Sequence, residues 1–210
     1  MNAQKRNADL NKKIAVIGAL GALTVLFGIT PIGFIRLPWG LALTLLHIPT
    51  ILGTLLEGVA AGTGIGAVFG IFSMIQAASN PVGFDALFVN PLVSVLPRLL
   101  IAPTVFLLFK GLSRLKVFPK AVSATAAAVA GTLLHTLYVS VALYLFAGTG
   151  VTELMGGAGL GAFILLLLPN AAVEAVAAGI IAGAVTGIQY AAQGKKSRLT
   201  REMQDLPEEK

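Results

Sequence analysis

Thirteen of the fifteen Lys and Arg residues fall into three clusters separated by long, nearly uncharged apolar stretches. Lys5, Arg6, Lys12 and Lys13 lie near the start, Lys110, Arg114, Lys116 and Lys120 in the middle, and Lys195, Lys196, Arg198, Arg201 and Lys210 at the end. A chain that is 56% hydrophobic and 11% charged has too little polar surface to cover a water-soluble globule of 210 residues. The pattern reads as an integral membrane protein whose three basic clusters face the cytoplasm by the positive-inside rule. The net charge of +6 therefore sets topology. No basic groove interleaved with aromatics accompanies it, so no nucleic-acid partner is expected, and the basic residues flank spans where anionic lipid headgroups lie. Cysteine is absent, which excludes disulfides and thiolate metal sites.

A membrane-crossing helix needs about 20 apolar residues. The candidate spans are 14–30, 41–56, 59–78, 92–109, 121–146 and 163–192, with 193–210 as a cytoplasmic tail, all within a single integral membrane domain over residues 1–210. The run Ile14 to Ile35 exceeds a signal-peptide core and reads as a retained span. Only an even number of crossings puts both basic ends on one side, and an even number must also precede Lys110. Six helices, four before that cluster and two after, satisfy both conditions. The expected fold is an all-α membrane protein with six transmembrane helices and cytoplasmic N- and C-termini. External connections then fall at Pro31 to Gly40, Ser79 to Pro91 and Ala147 to Gly161, with Gly and Pro marking the breaks. Trp39 is placed to anchor span two at the outer interface. No repeat of one half in the other is visible, so an inverted-repeat transporter is not indicated.

This topology fixes depth, because a helix rises about 1.5 Å per residue. His47, Arg98 and Asn170 each lie roughly 9 Å below the outer end of their spans. Glu174 is one turn deeper than Asn170 on the same face. Gln76 closes the outer end of span three, His135 with Thr136 lies near the middle of span five, and Asn90 stands at the mouth of span four. Most of the strongly polar intramembrane residues thus share the outer half. An ionisable residue at such depth costs about 2.5 to 3.5 kcal/mol on insertion scales and needs a partner. One reading is internal: Arg98 and Glu174 neutralise each other, while the histidines and Asn170 cap broken backbone near Pro49, Pro97 and Pro169. On that reading Asn90 only initiates span four. The other reading is a polar cavity open to the outside, in which Arg98 offers its guanidinium fork to a ligand carboxylate. The two are compatible.

Small residues recur at helical spacing. In span one Ala15 and Ala19, and also Gly18 and Ala22, fall one turn apart, which lets another helix approach closely. Gly62, Gly66 and Gly70 repeat the pattern in span three, and Gly179, Gly183 and Gly187 in span six. Most of these serve packing within the bundle. The span-one motif, near the cytoplasmic end, is the candidate surface for an outside partner.

Motifs of other classes are missing. There is no phosphate loop, since Gly194-Lys195-Lys196-Ser197 lacks the upstream glycine and strand, and Gly62-x-Gly64-x-x-Ala67 lies inside a membrane helix with no strand before it. No zinc-protease motif or nucleophile elbow occurs, and His47 and His135 have no partner at metal-ligand spacing. Neither an enzyme, a metal nor a cofactor is indicated.

Three stretches carry a resemblance. They are Leu46-His47-Ile48-Pro49 with the glycine-rich turn to Gly66, Asn90-Pro91-Leu92-Val93-Ser94-Val95-Leu96-Pro97-Arg98, and Leu168-Pro169-Asn170-Ala171-Ala172-Val173-Glu174. Together with six spans, inward ends and the Ala15-x-x-x-Ala19 motif, they resemble the substrate-binding S component of energy-coupling factor (ECF-type ABC) vitamin transporters. The similarity covers residues 10–192 and is nearest to the pantothenate-type branch, from which His135 departs where asparagine is expected. The resemblance implies a multi-pass subunit of the bacterial plasma membrane that captures a small vitamin. It would dock on a membrane coupling protein and two ABC-type ATPase subunits, with Ala15, Ala19, Gly18 and Ala22 as the docking face and Pro31 to Gly40 as an outer lid. It implies a solute site drawn from Arg98, Asn90, Asn170, His135, His47, Gln76 and Glu174, with Arg98 taking the vitamin carboxylate and Asn170, His135 and Asn90 serving its amide and hydroxyls. An autonomous proton- or ion-coupled carrier, an S component for a different vitamin, and an intramembrane enzyme using Glu174 and His135 remain the alternatives.

Overall fold

The computed structural model of the chain describes residues 3–30, 33–36, 42–79, 81, 83–115 and 117–204. Trp39 and most of the expected lid from Pro31 to Gly40 lie outside the described residues, as does the end of the tail, 205–210. The chain runs through α1 (Ala3–Ile29), a strand pair β1 (Phe34–Arg36) and β2 (Ala42–Thr44), α2 (Ile48–Glu57) and α3 (Val59–Ser79). A 3-10 turn (Gly83–Val89) leads to α4 (Pro91–Ser94), α5 (Leu96–Arg114), α6 (Lys120–Leu154) and α7 (Leu160–Gln204). The two strands pair antiparallel, with Ile35 opposite Leu43.

Among the described residues, five stretches are helical, long and apolar enough to cross a membrane: Arg6–Ile29, Val59–Ser79, Pro91–Arg114, Lys120–Leu154 and Leu160–Lys195. The expected second span, 41–56, is different. It is split into β2, a turn and the ten-residue α2. The cause is local, because Pro49 sits in the first turn of α2. Its ring would clash with the carbonyl of Leu45 in a helix continued backwards, and it has no N–H to give. Proline also shapes the fourth span, where Pro91 opens α4 and Pro97 opens α5. The expected external connection 147–161 is mostly helical. α6 continues to Leu154 through a kink at Ala147, whose φ of −142° and ψ of 27° are not helical. Helix α7 likewise carries on through the expected tail to Gln204.

Two contacts fix how the first helices run. Lys12 Nζ lies 2.7 Å from Glu57 Oε1, which sets the start of α1 beside the end of α2. At the opposite end Gln76 Nε2 donates to the Gly28 carbonyl at 3.3 Å, joining the ends of α3 and α1. The reversal between α2 and α3 takes one residue, Gly58, whose φ of +90° suits glycine. Helix α5 then lies hard against α3: a Cβ at Gly66 would meet the carbonyl of Arg98, and one at Gly70 the backbone of Val95. These glycines set the depth and closeness of the first turn of α5, and so the place of Arg98.

The main buried cluster joins Leu46, Ile51 and Leu55 to Phe69, Ile101 and Val105, and extends through Ala124, Ala127 and Ala128 to Ala178 and Ala182. A second cluster, Val93, Leu143, Val151 and Phe163, lies at the end of the bundle near the 3-10 turn. The outside is as apolar as the inside, with Leu145 and Ile188 each 71% exposed and Leu165 at 68%. Single exposed leucines are ordinary, but helices that are apolar all round suit lipid tails.

Candidate functional site

A cavity of about 160 Å³ opens between β2, the 3-10 turn, α5, α6 and α7. Its polar lining is Thr44, Arg98, His135, Thr136, Asn170 and Glu174, and its apolar lining is Phe88, Val139, Leu167 and Ala171. Helix periodicity explains most of this set. Leu167, Asn170, Ala171 and Glu174 recur at intervals of three and four on one face of α7, and His135 and Val139 are one turn apart on α6.

Arg98 is the cation of the site, 7% exposed. Its Nη1 donates to the Val93 carbonyl at 2.9 Å. That carbonyl would ordinarily accept from residue 97, but Pro97 has no N–H. The arginine therefore repairs the helix break that its own neighbour makes. The guanidinium lies between two rings, its carbon 5.2 Å from the centroid of Phe69 and 4.9 Å from that of Phe88. Such cation–π contacts favour charge where water is excluded. The Nε atom is buried and takes no hydrogen bond. Among the described residues no carboxylate lies within 4 Å of the guanidinium, so Glu174, on the same cavity, acts on Arg98 by charge at longer range and not as a direct ion pair.

Glu174 is engaged elsewhere. Its Oε1 accepts from the Thr44 backbone N–H at 2.6 Å and from Thr44 Oγ1 at 3.2 Å. The broken second span leaves strand backbone that no helix satisfies, and α7 supplies the acceptor. His135 is 6% exposed, and its Nε2 takes no hydrogen bond. Behind it lies His47, fully buried, with ring centroids 6.0 Å apart and planes inclined by 24°.

Of the seven candidate solute contacts, the cavity thus brings together Arg98, His135, Asn170 and Glu174. His47 forms the layer behind His135. Asn90 lies outside the lining and is the N-cap of α4, its side chain accepting from the Leu92 N–H at 3.0 Å. Gln76 also lies outside, tying α3 to α1. Sequence reasoning did not single out Thr44, Phe88, Val139, Leu167 or Ala171, and noted Thr136 only beside His135. The position four after His135 and the position three before Glu174 would have found Val139 and Ala171. Phe88 and Thr44 arrive by tertiary folding from a 3-10 turn and a strand, with no local signal.

On α1 the small residues Ala15, Gly18, Ala19 and Ala22 are all exposed, and a Cβ added at Gly18 meets open space. The face they form is turned away from the rest of the bundle.

Comparison with curated proteins gives no match for this chain. The profile described as ECF transporter, substrate-specific component, matches residues 12–195. Such components are membrane proteins that work with a module of a membrane coupling protein and ATPases. Five membrane-capable helices, the cavity walled by α5, α6 and α7, and a match over nearly the whole chain lead to one assignment: the protein belongs to the family of substrate-specific components of ECF transporters.

Proposed function

We propose that the chain is the solute-capturing subunit of a vitamin transporter and that its solute is pantothenate, bound in the cavity from the outside and passed inward on the energising module. One observation carries this reading: among the described residues Arg98 is a buried cation with no carboxylate within 4 Å, and the Nε at one edge of its fork makes no hydrogen bond. A buried charge left unpaired is costly, so the site favours an anionic ligand that takes that edge in two parallel hydrogen bonds. Pantothenate has one carboxylate, an amide and two hydroxyls. The carboxylate suits Arg98, while His135 Nε2, Thr136 and Asn170 line the same small space and suit the remaining polar groups. Asn90 is then a helix cap, and His47 and Gln76 support the site without lining it.

The orientation follows from the basic clusters. Both ends and the segment around Lys110 to Lys120 lie in the cytoplasm, with six crossings between them. The second crossing is the broken one. The ten residues of α2 give about 15 Å, and the extended residues 42–45 add roughly 13 Å, together close to the hydrocarbon thickness of about 30 Å. The face of Ala15, Gly18, Ala19 and Ala22 is the docking surface for the membrane coupling protein, supported by its exposure along α1. Small residues there let a partner helix come close enough for dispersion to hold it.

Mass spectrometry of small molecules released from the purified protein tests the solute assignment. Pantothenate at about one equivalent is the expected result. Stoichiometric release of a different vitamin would replace it.

A further inference from the structure

We propose that Glu174 is a positioning residue for ligand retention, which holds strand β2 as a wall of the cavity by accepting the Thr44 amide. The proposal rests on the reading of this cavity as the solute site. Thr44 and Glu174 both line it and meet there from 130 positions apart in the chain. Thr44 closes β2, the last residue before the turn into α2, and Glu174 sits on α7. The bond of 2.6 Å from a backbone N–H to a carboxyl oxygen is in the range of strong hydrogen bonds, and the hydroxyl adds a second at 3.2 Å. Among the described residues β2 has one strand neighbour, β1, and the Leu45 N–H is held by the Gly33 carbonyl at 3.2 Å. The strand pair is thus joined to α1 by its own chain and to α7 through Glu174. Without that carboxyl the Thr44 amide loses its acceptor, and helix α2, whose own first turn begins at Ile48, offers none. A ligand in the cavity has Thr44 against it, so the wall must shift for the ligand to leave on that side. Arg98 is held by Val93 and the two phenyl rings, and Glu174 acts on it by charge across the cavity and not through a direct ion pair.

Amide hydrogen exchange and ligand kinetics on the full chain separate this role from that of a direct contact. In the unliganded protein, Glu174→Ala should speed exchange at the Thr44 amide by roughly 10- to 100-fold, the size of one lost hydrogen bond to a charged group. With labelled pantothenate as the probe, the dissociation rate should rise about tenfold while the association rate stays within about twofold. Glu174→Gln, which keeps an oxygen for the amide, should restore most of both, and Thr44→Val, which keeps the N–H and removes the hydroxyl, should fall between. Unchanged exchange in Glu174→Ala overturns the proposal, as does faster exchange with an unchanged dissociation rate. If the unmodified chain binds no pantothenate, the functional reading fails. The exchange measurement then decides by itself whether Glu174 holds the strand.

Discussion

Arg98 donates to the carbonyl of Val93, five residues before it, and thereby fills the acceptor that Pro97 leaves open. One side chain both mends a helix and presents a charge to a cavity. The fork geometry matters, since one nitrogen is committed to Val93 and the other edge is needed for the solute. Arg98→Lys keeps the charge but offers a compact ammonium that cannot serve both at once. Pantothenate affinity should fall about tenfold or more in this variant while the folded yield stays near that of the unmodified chain, as read by titration after size-exclusion chromatography.

The approach of α5 to α3 is a second point of leverage. A side chain at Gly66 collides with the backbone carbonyl of Arg98, which cannot turn aside as a flexible side chain does. Gly66→Val should therefore push the first turn of α5 away and cost about 1 to 3 kcal/mol of stability. Binding should weaken together with the melting temperature. A Gly18→Val change is the control, because open space surrounds that position in the isolated chain and neither quantity should move.

Asn90 and Asn170 separate a cap from a lining residue. Asn90→Ala removes the acceptor for the Leu92 N–H and should cost about 1 kcal/mol of stability with affinity nearly unchanged. Asn170→Ala acts on the cavity wall, so affinity should drop about tenfold. Thermal scans and equilibrium binding on the two variants give the comparison, and a large loss of affinity in Asn90→Ala would contradict the division.

The exposed small-residue face of α1 makes a prediction about the assembled transporter. Ala15→Trp or Ala19→Trp fills the space a partner helix needs while leaving the cavity untouched. Uptake by cells with the complete transporter should be abolished, and solute binding by the purified chain should be unaltered. Equal loss of both would mean that these positions pack within the chain.

How much of this was legible beforehand depends on the range of the cause. Apolar runs and basic clusters are local and additive, so the five long helices among the described residues and the class of protein could be read from them. Boundaries were less readable. α6 and α7 extend past Ala147 and Ala192 because helical propensity and packing continue where apolar content fades. The second span was expected as a helix from its leucines, yet the placement of Pro49 divides it. The cavity was half visible. Arg98 and Asn170 share one depth, Glu174 lies one turn below and His135 near mid-span, and depth follows from counting residues. Partners do not follow from counting. That Glu174 holds Thr44, 130 positions away, and that Phe69 and Phe88 flank Arg98 are consequences of tertiary packing.

Calorimetric titration of the purified chain alone with pantothenate, run beside Arg98→Ala, tests the central claim most directly. The account predicts one saturable site per chain, weakened about 100-fold or more when the guanidinium is removed. Equal affinity in the two proteins, or none in the unmodified chain, would contradict it.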